Sequence, residues 1–574
     1  CWENLDQSQR EFASDVSILR SSFGIHSVES VVENKAGLDV GAMLQQLVDL
    51  GLIEEVATGA ASNIRRFKLN HTLRVFVHSR LDDAQRELLW VRYAEFLFSK
   101  CEKWADEVHG RDGTEVMARI ALDWDHLLAV VQHGFKKDPL ESVWVDRGIR
   151  SLLVLNSILE ARGPFSIQET LLDQALKACD ALLGTDPLLH ARALIARAEV
   201  RLGRGQYDQA IAELERAFNI TRRWSDDEGG ARCNVALART YIDKKDFSSA
   251  ERHLASALGF YAATGLRRLE GIALATQAIS CQRQGKCGAA VKHFNDSLAI
   301  LEEVNALHQL GKYKGCLGTA LSQLGRKEDA RAALRESIRL NRLTGDRRRE
   351  GAMLGRLGEL DYHLGHLAEA AILFEDALLL AEEVGDLVSA AAALTSLALV
   401  RMELGQFDEA KQLMVRSLAL GQGGAGRQKD GLILGYLGVL HHRAGRVRGA
   451  RNYYGEAIAV LEQRQDHQHR ALFLGWFSSL EAEQGDYRKA EQLARMAEAT
   501  IESHQNPRIR DTLEVLRWVP DLAFALTDED MVDVCTSVEE RLSKFPQAKN
   551  GDLRLALSWA RHLLDSGRHQ AETT

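Results

Sequence analysis

The sequence predicts a mostly all-α protein whose larger part is a solenoid of paired helices, and three observations predict this fold. Apolar residues recur along much of the chain at the three-to-four-residue spacing of a helix face. A turn residue, glycine in seven of eight cases, stands five residues before each member of an alanine column. The alanine column has a fixed period of 40 residues and consists of Ala210, Ala250, Ala290, Ala330, Ala370, Ala410, Ala450 and Ala490.

Two further columns of the same period indicate how the helices pack. A pair of helices with one apolar face each cannot bury those faces alone, so the units must stack end to end. Small residues mark close crossings, because a larger side chain would hold the two backbones apart. The small column consists of Ala198, Ala238, Ala278, Gly318, Gly358, Ala398, Gly438 and Ser478. The large column, which fills the remaining space, consists of Leu214, Leu254, Phe294, Leu334, Phe374, Met414 and Tyr454.

The segment from Leu317 to Ser337 resembles a tetratricopeptide repeat (TPR). It carries Leu-Gly at 317–318 and again at 324–325, followed by Ala330 and Leu334. The unit is longer than the usual length of about 34 residues. It is similar to the extended repeats of bacterial maltose-type transcription activators and of eukaryotic spindle-orientation adaptors. The resemblance implies a right-handed TPR superhelix of eight repeats over residues 191–510.

Composition limits the class of protein. The 574 residues exceed one compact core, and 45% hydrophobic with 27% charged residues is typical of a soluble globular chain. A net charge of −9 argues against a nucleic-acid or membrane-surface role. No apolar run is long enough to span a membrane, no signal peptide opens the chain, and the eight cysteines show no metal-ligand spacing. We therefore expect a cytoplasmic protein without a metal site.

Residues 1–80 predict a separate winged-helix domain. Helices are expected at Asp6–Leu19, Ser27–Glu33 and Val40–Leu50. Two strand candidates, Leu52–Val56 and Ile64–Leu69, follow and are separated by a hairpin-type loop at residues 58–62. Three helices followed by a hairpin are the elements of a winged helix.

The third helix of this domain argues against DNA reading. A helix that reads the major groove needs positive charge for phosphates and donors for base edges. From Asp39 to Gly51 the sequence has no lysine or arginine. Basic residues occur only on the second strand, as Arg65, Arg66 and Lys68. A structural or regulatory winged helix is the preferred interpretation, with a DNA-binding regulator as an alternative.

The stretches 47–53 and 67–76 resemble the winged helix that closes the nucleotide-binding module of STAND ATPases of the NB-ARC type. Members carry Met-His-Asp after the wing, and the histidine contacts an ADP phosphate in the off state. The aligned residues here are Asn70, His71 and Thr72, so only the histidine is retained. The resemblance implies nucleotide sensing by His71, with ATP or ADP bound by an upstream domain. A histidine making a local hydrogen bond at a helix start is the alternative.

The remaining segments flank the repeats. Residues 119–128 are similar to a stretch that follows the winged helix in bacterial STAND regulators, so residues 81–190 are predicted to form a helical bridge with a degenerate first repeat. Residues 511–574, where Pro520 breaks the period, are predicted to form a C-terminal helical cap and tail. Because the chain begins at Cys1 rather than methionine, we expect a fragment of a longer protein.

No catalytic signature is found in the sequence, since P-loop, HExxH, GxSxG and kinase motifs are all missing. The chain is therefore predicted not to be an enzyme and to hold no cofactor of its own. An NTPase or another effector domain would lie outside it.

Stacked helix pairs offer a binding surface, because the first helix of each unit lines the concave face. Its mixed charge suits a protein or peptide ligand, or a small inducer, better than nucleic acid. The arginines at 347–349 fall between units and are interpreted as a solvated edge. The predicted partner-binding residues are Arg239, Asp243, Gln282, Arg283, Thr319, Gln323, Glu359, Tyr362, His363, Met402, His442 and Arg443.

Together these features predict the sensor or regulatory part of a STAND-type signalling protein. Ligand on the repeats would shift the population of the winged helix relative to an upstream nucleotide module and permit homo-oligomerisation. A stand-alone TPR adaptor or scaffold and a transcriptional regulator are the alternatives. A concave face filled by the chain's own C-terminal residues would argue against partner recognition there.

Overall fold

The computed structural model describes most of the chain as helix in two compact units. Unit 1 comprises residues 1–349 and unit 2 residues 350–574. Among the described helices, none combines the length and apolar character that crossing a bilayer requires. The residues outside the description are 1, 33–38, 57–64, 108–112, 137–138, 163–164, 183, 422–429, 503–509, 518–539, 541–550 and 574.

Unit 1 begins with a small α/β segment. A 3₁₀ turn at Trp2–Asn4 precedes three helices, and three short strands form an antiparallel sheet in the order β1-β3-β2. The two predicted strands are present in shortened form, β1 was not predicted, and the predicted loop at 58–62 lies outside the described residues. The elements are α1 (Gln7–Val16), β1 (Phe23–Gly24), α2 (Ile25–Val31), α3 (Val40–Asp49), β2 (Ile53–Val56) and β3 (Arg66–Leu69).

Side-chain caps explain where two of these helices begin. Asp6 accepts from the backbone N–H of Gln9, whose own side chain returns a bond to the backbone of Asp6, and this reciprocal pair forms a capping box. Asp39 caps α3 by accepting from Ala42 N. The elements are those of the predicted winged helix, which stays an interpretation of this arrangement.

A bundle of longer helices follows and packs against the first segment. Its core contains Trp144 and Tyr93, both almost fully buried, and it shares one hydrophobic cluster with the N-terminal helices. We call this bundle the bridge, after the segment predicted at residues 81–190, whose bounds stay a prediction. Its helices are α4 (His71–His78), α5 (Asp83–Glu107), α6 (Gly113–Leu122), α7 (Trp124–Lys136), α8 (Ser142–Arg162) and α9 (Phe165–Ala181).

The repeats of unit 1 are helical hairpins in the register that the alanine column predicts. The first helices of successive repeats contact one another, and α6 of the bridge contacts α17. The helices are α10 (Pro187–Gly203), α11 (Tyr207–Arg223), α12 (Asp227–Asp243), α13 (Phe247–Thr264), α14 (Arg267–Arg283), α15 (Cys287–Glu303), α16 (Leu307–Gln323) and α17 (Lys327–Thr344).

Unit 2 continues the same pattern. Helix α18 (Arg347–Leu364) spans the boundary between the units. Residues 510–517 are also helical, and the chain ends in the C-terminal helix Gly551–Thr573. The other helices are α19 (Leu367–Glu383), α20 (Leu387–Glu403), α21 (Phe407–Gly421), α22 (Asp430–Arg443), α23 (Val447–Gln463), α24 (His467–Glu483) and α25 (Tyr487–Glu502).

Backbone conformation explains why the turn column consists almost entirely of glycine. Its seven glycines have φ between 67° and 86°, the left-handed region in which a side chain is strained. Lys245, the one non-glycine residue in the column, has φ 66°. Glycine here ends the first helix and allows the chain to reverse within a few residues.

The small columns also behave as predicted. Ala330 is fully buried, and a Cβ built on Gly318 would lie only 2.8 Å from Leu334 Cγ. Two serines on second helices donate across their hairpins: Ser297 Oγ to Gly271 O at 2.7 Å, and Ser337 Oγ to Gly311 O. Close packing and buried hydrogen bonds therefore both favour a small residue where the two helices cross.

Candidate functional site

Three of the predicted site residues lie in ion pairs that connect neighbouring first helices of unit 1. Arg239 Nη1 on α12 lies 2.8 Å from Glu199 Oε1 on α10. Arg283 Nη2 on α14 lies 3.6 Å from Asp243 Oδ1 on α12. Each pair joins residues 40 positions apart, which is the length of one repeat.

Three other predicted residues lie on the same surface. Gln282 Nε2 donates to Gln323 Oε1 across 3.1 Å, so these side chains also link adjacent first helices. Thr319 Oγ1 donates at 3.1 Å to Gly315 O within its own helix. The first helices of unit 1 thus carry a polar layer held by side-chain bonds between repeats.

Five charged side chains and one tyrosine come together in this layer, and sequence reasoning predicted only Arg239 among them. They come from α8, α10, α12, α16 and the beginning of α18, and each influences the pKa of several others although up to five repeats separate them in sequence. We call this group the inner cluster. It consists of Glu160, Glu199, Arg239, Lys312, Tyr313 and Arg349.

Arg349 corrects the interpretation of residues 347–349 as a solvated edge. Its side chain is only 27% exposed and is ion-paired with Asp346, which is fully buried. Arg349 Nη1 also lies 2.9 Å from His308 Nε2, one repeat earlier. Burial, and then the nearby charge of Arg349, lower the pKa of His308 to about 4. The histidine therefore stays neutral near pH 7 and can accept from the guanidinium.

Two members of the inner cluster titrate near neutral pH. Burial, and then the neighbouring carboxylate of Glu199, raises the pKa of Glu160 to about 7. Burial, and then the cations of Arg239 and Arg349, lowers the pKa of Lys312 to about 7. Both changes reflect the cost of holding a charge away from water beside a like charge. The charge of the cluster therefore changes over a narrow pH range.

Lys312 is the one cation of the inner cluster that forms no ion pair with any described residue. Its Nζ lies 5.2 Å from the centroid of the Tyr313 ring, a cation–π distance. The other two cations, Arg239 and Arg349, already have carboxylate partners. Below a pH of about 7, where Lys312 is protonated, an anionic group arriving there would thus meet a positive charge that forms no ion pair with a described carboxylate.

The predicted residues of unit 2 behave differently, because the C-terminal helix covers much of the first-helix surface there. The guanidinium of Arg554 lies 4.9 Å from the centre of the Tyr362 ring and donates to Tyr362 O at 2.7 Å. Arg443 Nη2 donates to Ser558 Oγ at 3.2 Å. Tyr362 is 7% exposed, so the chain itself occupies this part of the predicted binding surface, which argues against partner binding there while the C-terminal helix is in place.

Met402 and His442 depart from the expected exposed position. Met402 is 1% exposed and belongs to a hydrophobic cluster of unit 2. His442 is 3% exposed, and its Nε2 lies 3.0 Å from Glu483 Oε2 on the next first helix. Both side chains point into the layer between helices. The repeat period alone does not show whether a position on a first helix faces this interior or the exposed surface.

Glu359 and His363 complete the predicted set. Glu359 Oε2 accepts from Arg356 Nη1 at 3.0 Å within α18. The His363 ring lies 5.6 Å from the Tyr362 ring, tilted by 50°. Neither residue takes part in the inner cluster.

His71, the residue implied in nucleotide sensing, is the exposed first residue of α4. The side chain of Asn70 caps this helix by accepting from Thr72 N at 3.0 Å. The local hydrogen bonding at the helix start therefore comes from Asn70, which leaves the imidazole of His71 open to solvent.

Two basic residues of the second strand are engaged within the protein. Arg66 is 5% exposed and its Nη2 lies 3.0 Å from Asp123 Oδ1 on the loop after α6. Arg65 is exposed and pairs with Glu55 Oε1 at 2.7 Å. Of these three basic residues, only Lys68 is exposed without a described partner. The strand therefore offers little positive charge for contact with DNA phosphates.

A cavity of about 620 Å³ lies where this segment meets the bridge. Arg66, Lys100 and Trp104 are among its lining residues. Lys100 Nζ lies 3.6 Å from Asp123 Oδ2, so its charge is also compensated. Within the described part of the chain, no group of histidine, cysteine and acidic residues could hold a metal ion.

Family comparisons identify TPR repeats in both units. Residues 189–263 and 388–463 match a tetratricopeptide repeat family, and residues 317–342 match a second TPR family. Residues 351–413 match the family described as anaphase-promoting complex subunit 5. The repeat fold inferred from the 40-residue period is thereby confirmed over these ranges.

One curated relative is the regulatory protein AfsR of Streptomyces griseus. It is 25% identical over 340 residues, which cover 55% of this chain and 32% of the relative. The chain thus spans about a third of the length of the curated relative that it matches.

Solved structures with similar folds are more distant. One is a Signal Transduction ATPase with Numerous Domains (STAND) protein with a TPR sensor from Pyrococcus horikoshii, at 14% identity, a TM-score of 0.45, and coverage of 82% of this chain and 66% of that one. Another is a Rap protein complexed with competence and sporulation factor, at 16% identity, a TM-score of 0.39, and coverage of 71% and 98%. Similarity this low carries no inference about function.

Proposed function

We propose that this chain is a non-catalytic sensor or regulatory module that binds a ligand on the first helices of unit 1. The observation that carries the proposal is the inner cluster, in which Lys312 has no carboxylate partner among the described residues. TPR repeats in the chain and the similarity to a regulatory protein support a regulatory role.

The chemistry of the inner cluster favours a protein or peptide ligand with a carboxylate. Lys312 is half-buried beside two paired guanidinium groups, so an incoming carboxylate would form a charge-assisted contact in a partly desolvated site. Bonds such as Gln282 to Gln323 and Arg239 to Glu199 hold the surrounding side chains in place, which reduces the entropy lost on binding. A small inducer that carries a carboxylate would satisfy the same group.

Replacing Lys312 with methionine is expected to weaken the binding of acidic peptides by about tenfold or more, because a charge-assisted contact contributes roughly 1.5–3 kcal/mol. The probe is a displayed library of random peptides, selected on the wild-type chain and then measured individually by fluorescence anisotropy. Peptides selected in this way are expected to contain aspartate, glutamate or a free C-terminus.

Lys314→Met is the matched control. Lys314 lies two residues away on the same helix, but its Nζ already has a partner, Glu302 Oε1 at 3.1 Å. Wild-type affinity should also fall between pH 6 and pH 8, because Lys312 loses its proton while Glu160 gains a charge, and Lys312→Met should lose much of this dependence. Equal loss in both variants, or affinity that rises with pH, would contradict the proposal.

We further propose that ligand binding is coupled to a nucleotide-binding module elsewhere in a longer protein. The resemblance of the stretches 47–53 and 67–76 to the winged helix of STAND ATPases supports this step. Binding that differs between two states of the protein would shift their populations, and homo-oligomerisation would follow from the favoured state.

In a protein that carries such a module, His71→Ala is expected to weaken ADP binding by about tenfold, the effect of losing one hydrogen bond to a charged group. The exposed position of the ring at the start of α4 is compatible with a phosphate contact. Titration of the purified protein with ADP measures the change, and His26→Ala, another exposed histidine, is the control. Unchanged ADP affinity, or no ADP binding at all, would favour a stand-alone adaptor instead.

A further inference from the structure

The C-terminal helix is held on unit 2 by a salt bridge and by backbone contacts. Arg554 Nε and Nη2 contact the two carboxylate oxygens of Glu403 at 2.6 and 3.0 Å, a bidentate arrangement at the end of α20. Glu403 is 6% exposed at its side chain, so the pair is largely removed from water. The same guanidinium contacts Tyr362 on α18, which means that one side chain connects two first helices.

Polar anchors lie on both sides of this arginine. Tyr436 Oη on α22 donates to Asp552 Oδ1 at 2.5 Å. Trp559 Nε1 donates to Glu483 Oε1 on α24 at 2.9 Å. The C-terminal helix therefore contacts four successive first helices of unit 2 through a carboxylate, a guanidinium and an indole.

Apolar residues fill the space between these anchors. Leu553, Leu557 and Leu564 are at most 4% exposed and belong to the hydrophobic cluster that contains Trp476. Arg561, on the same helix, is exposed. The C-terminal helix is thus amphipathic and packs its apolar face against the first helices of unit 2, as a peptide helix binds in a groove.

The polar anchors distinguish this contact from a simple end cap. An apolar face alone would be enough to cover the last repeats. A buried ion pair contributes little net stability compared with apolar packing, but it contributes strongly to the choice of partner. The contact also spans the first helices over residues 362–483 instead of the last helix only.

We propose that the first-helix surface of unit 2 is a docking groove for a partner helix that presents a carboxylate, a guanidinium and an indole at positions i, i+2 and i+7. The C-terminal helix is the internal ligand that occupies this groove until such a helix displaces it. This site is separate from the inner cluster of unit 1 and does not depend on the function proposed above.

The probe is a fluorescein-labelled synthetic peptide of residues 551–565, added to the full chain and followed by anisotropy. The wild type should bind it weakly, because its own helix competes. Arg554→Ala combined with Trp559→Ala weakens the internal ligand without touching the groove, and peptide affinity is expected to rise by about tenfold or more. Adding Glu403→Gln to this variant should remove the gain, since the groove then lacks the carboxylate that receives the peptide's arginine.

Arg561→Ala is the matched control and should behave as wild type, because it removes an exposed arginine from the same helix. Hydrogen exchange of residues 551–565 in the wild type gives a second, independent measure. Exchange clearly faster than in α22, with peptide binding restored in the double variant, supports the proposal. Exchange as slow as in α22, or no peptide binding by the double variant, overturns it and assigns the helix a purely structural role.

Discussion

Replacing Arg66 with alanine is expected to destabilise the N-terminal part of unit 1 by about 3–5 kcal/mol, because the buried carboxylate of Asp123 loses its nearer partner and keeps the longer contact with Lys100 at 3.6 Å. Arg66 contacts Asp123 Oδ1 at 3.0 Å, Leu122 O at 3.0 Å and Ser22 Oγ at 3.1 Å, so one side chain connects β3 to the bridge. Native-state hydrogen exchange of β2 and β3 measures the local free energy of opening.

Arg65→Ala provides the control for this prediction. Arg65 precedes Arg66 in sequence but is exposed, and a surface ion pair such as its contact with Glu55 contributes only about 0–1 kcal/mol. Combining Arg66→Met with Asp123→Leu should recover part of the loss, since neither charge then remains buried. Similar losses for Arg65→Ala and Arg66→Ala would show that the buried pair does not stabilise this junction.

Replacing Phe374 with alanine is expected to destabilise unit 2 by about 3–5 kcal/mol, the usual cost of removing a fully buried aromatic ring. Phe374 is 1% exposed and packs with Leu397 and Val400 of the next helix. A Cβ on Gly358 would lie 2.8 Å from its ring, so the large and the small residue of these two columns fit one another. Thermal and urea denaturation of the intact chain measure the change.

Two variants test the physical reason for that loss. Ile372→Ala lies on the same helix at a position that is 59% exposed, and its effect should stay within about 0.5 kcal/mol. Gly358→Leu in the Phe374→Ala background should recover part of the loss, because the new side chain enters the cavity. A double-mutant cycle without such recovery would mean that the two columns are not coupled.

The repeat register could be predicted from the sequence because its causes are local and occur eight times. The turn column requires left-handed backbone, and the alanine and small columns require close helix crossing, so the same residue types recur at each unit. Gly205 and Gly285 have positive φ, and Ala210 and Ala290 are fully buried, as this reasoning predicts.

The candidate site was predicted less completely. The repeat register predicts Arg239 and Asp243 on the first-helix surface, and both form ion pairs between repeats there. Lys312 was missed because its partners lie on other repeats and no column marks it. Met402 was predicted on the binding surface but is buried. Positions three residues apart on one helix face differ in burial only when neighbouring repeats pack against them.

The sequence by itself determined that unit 1 and unit 2 contain stacked helical hairpins, where each hairpin turns and which residues lie at the crossings. The hairpins, turns and crossings follow from backbone conformation within one repeat, and the repeat is shorter than 50 residues. The tertiary structure alone decided that Arg349 contacts His308 of the preceding repeat and that Arg554 meets Glu403, 151 positions earlier in the chain. Such contacts join one repeat to another, or a repeat to the C-terminal helix, so they depend on how these elements pack and no repeated column of the sequence marks them.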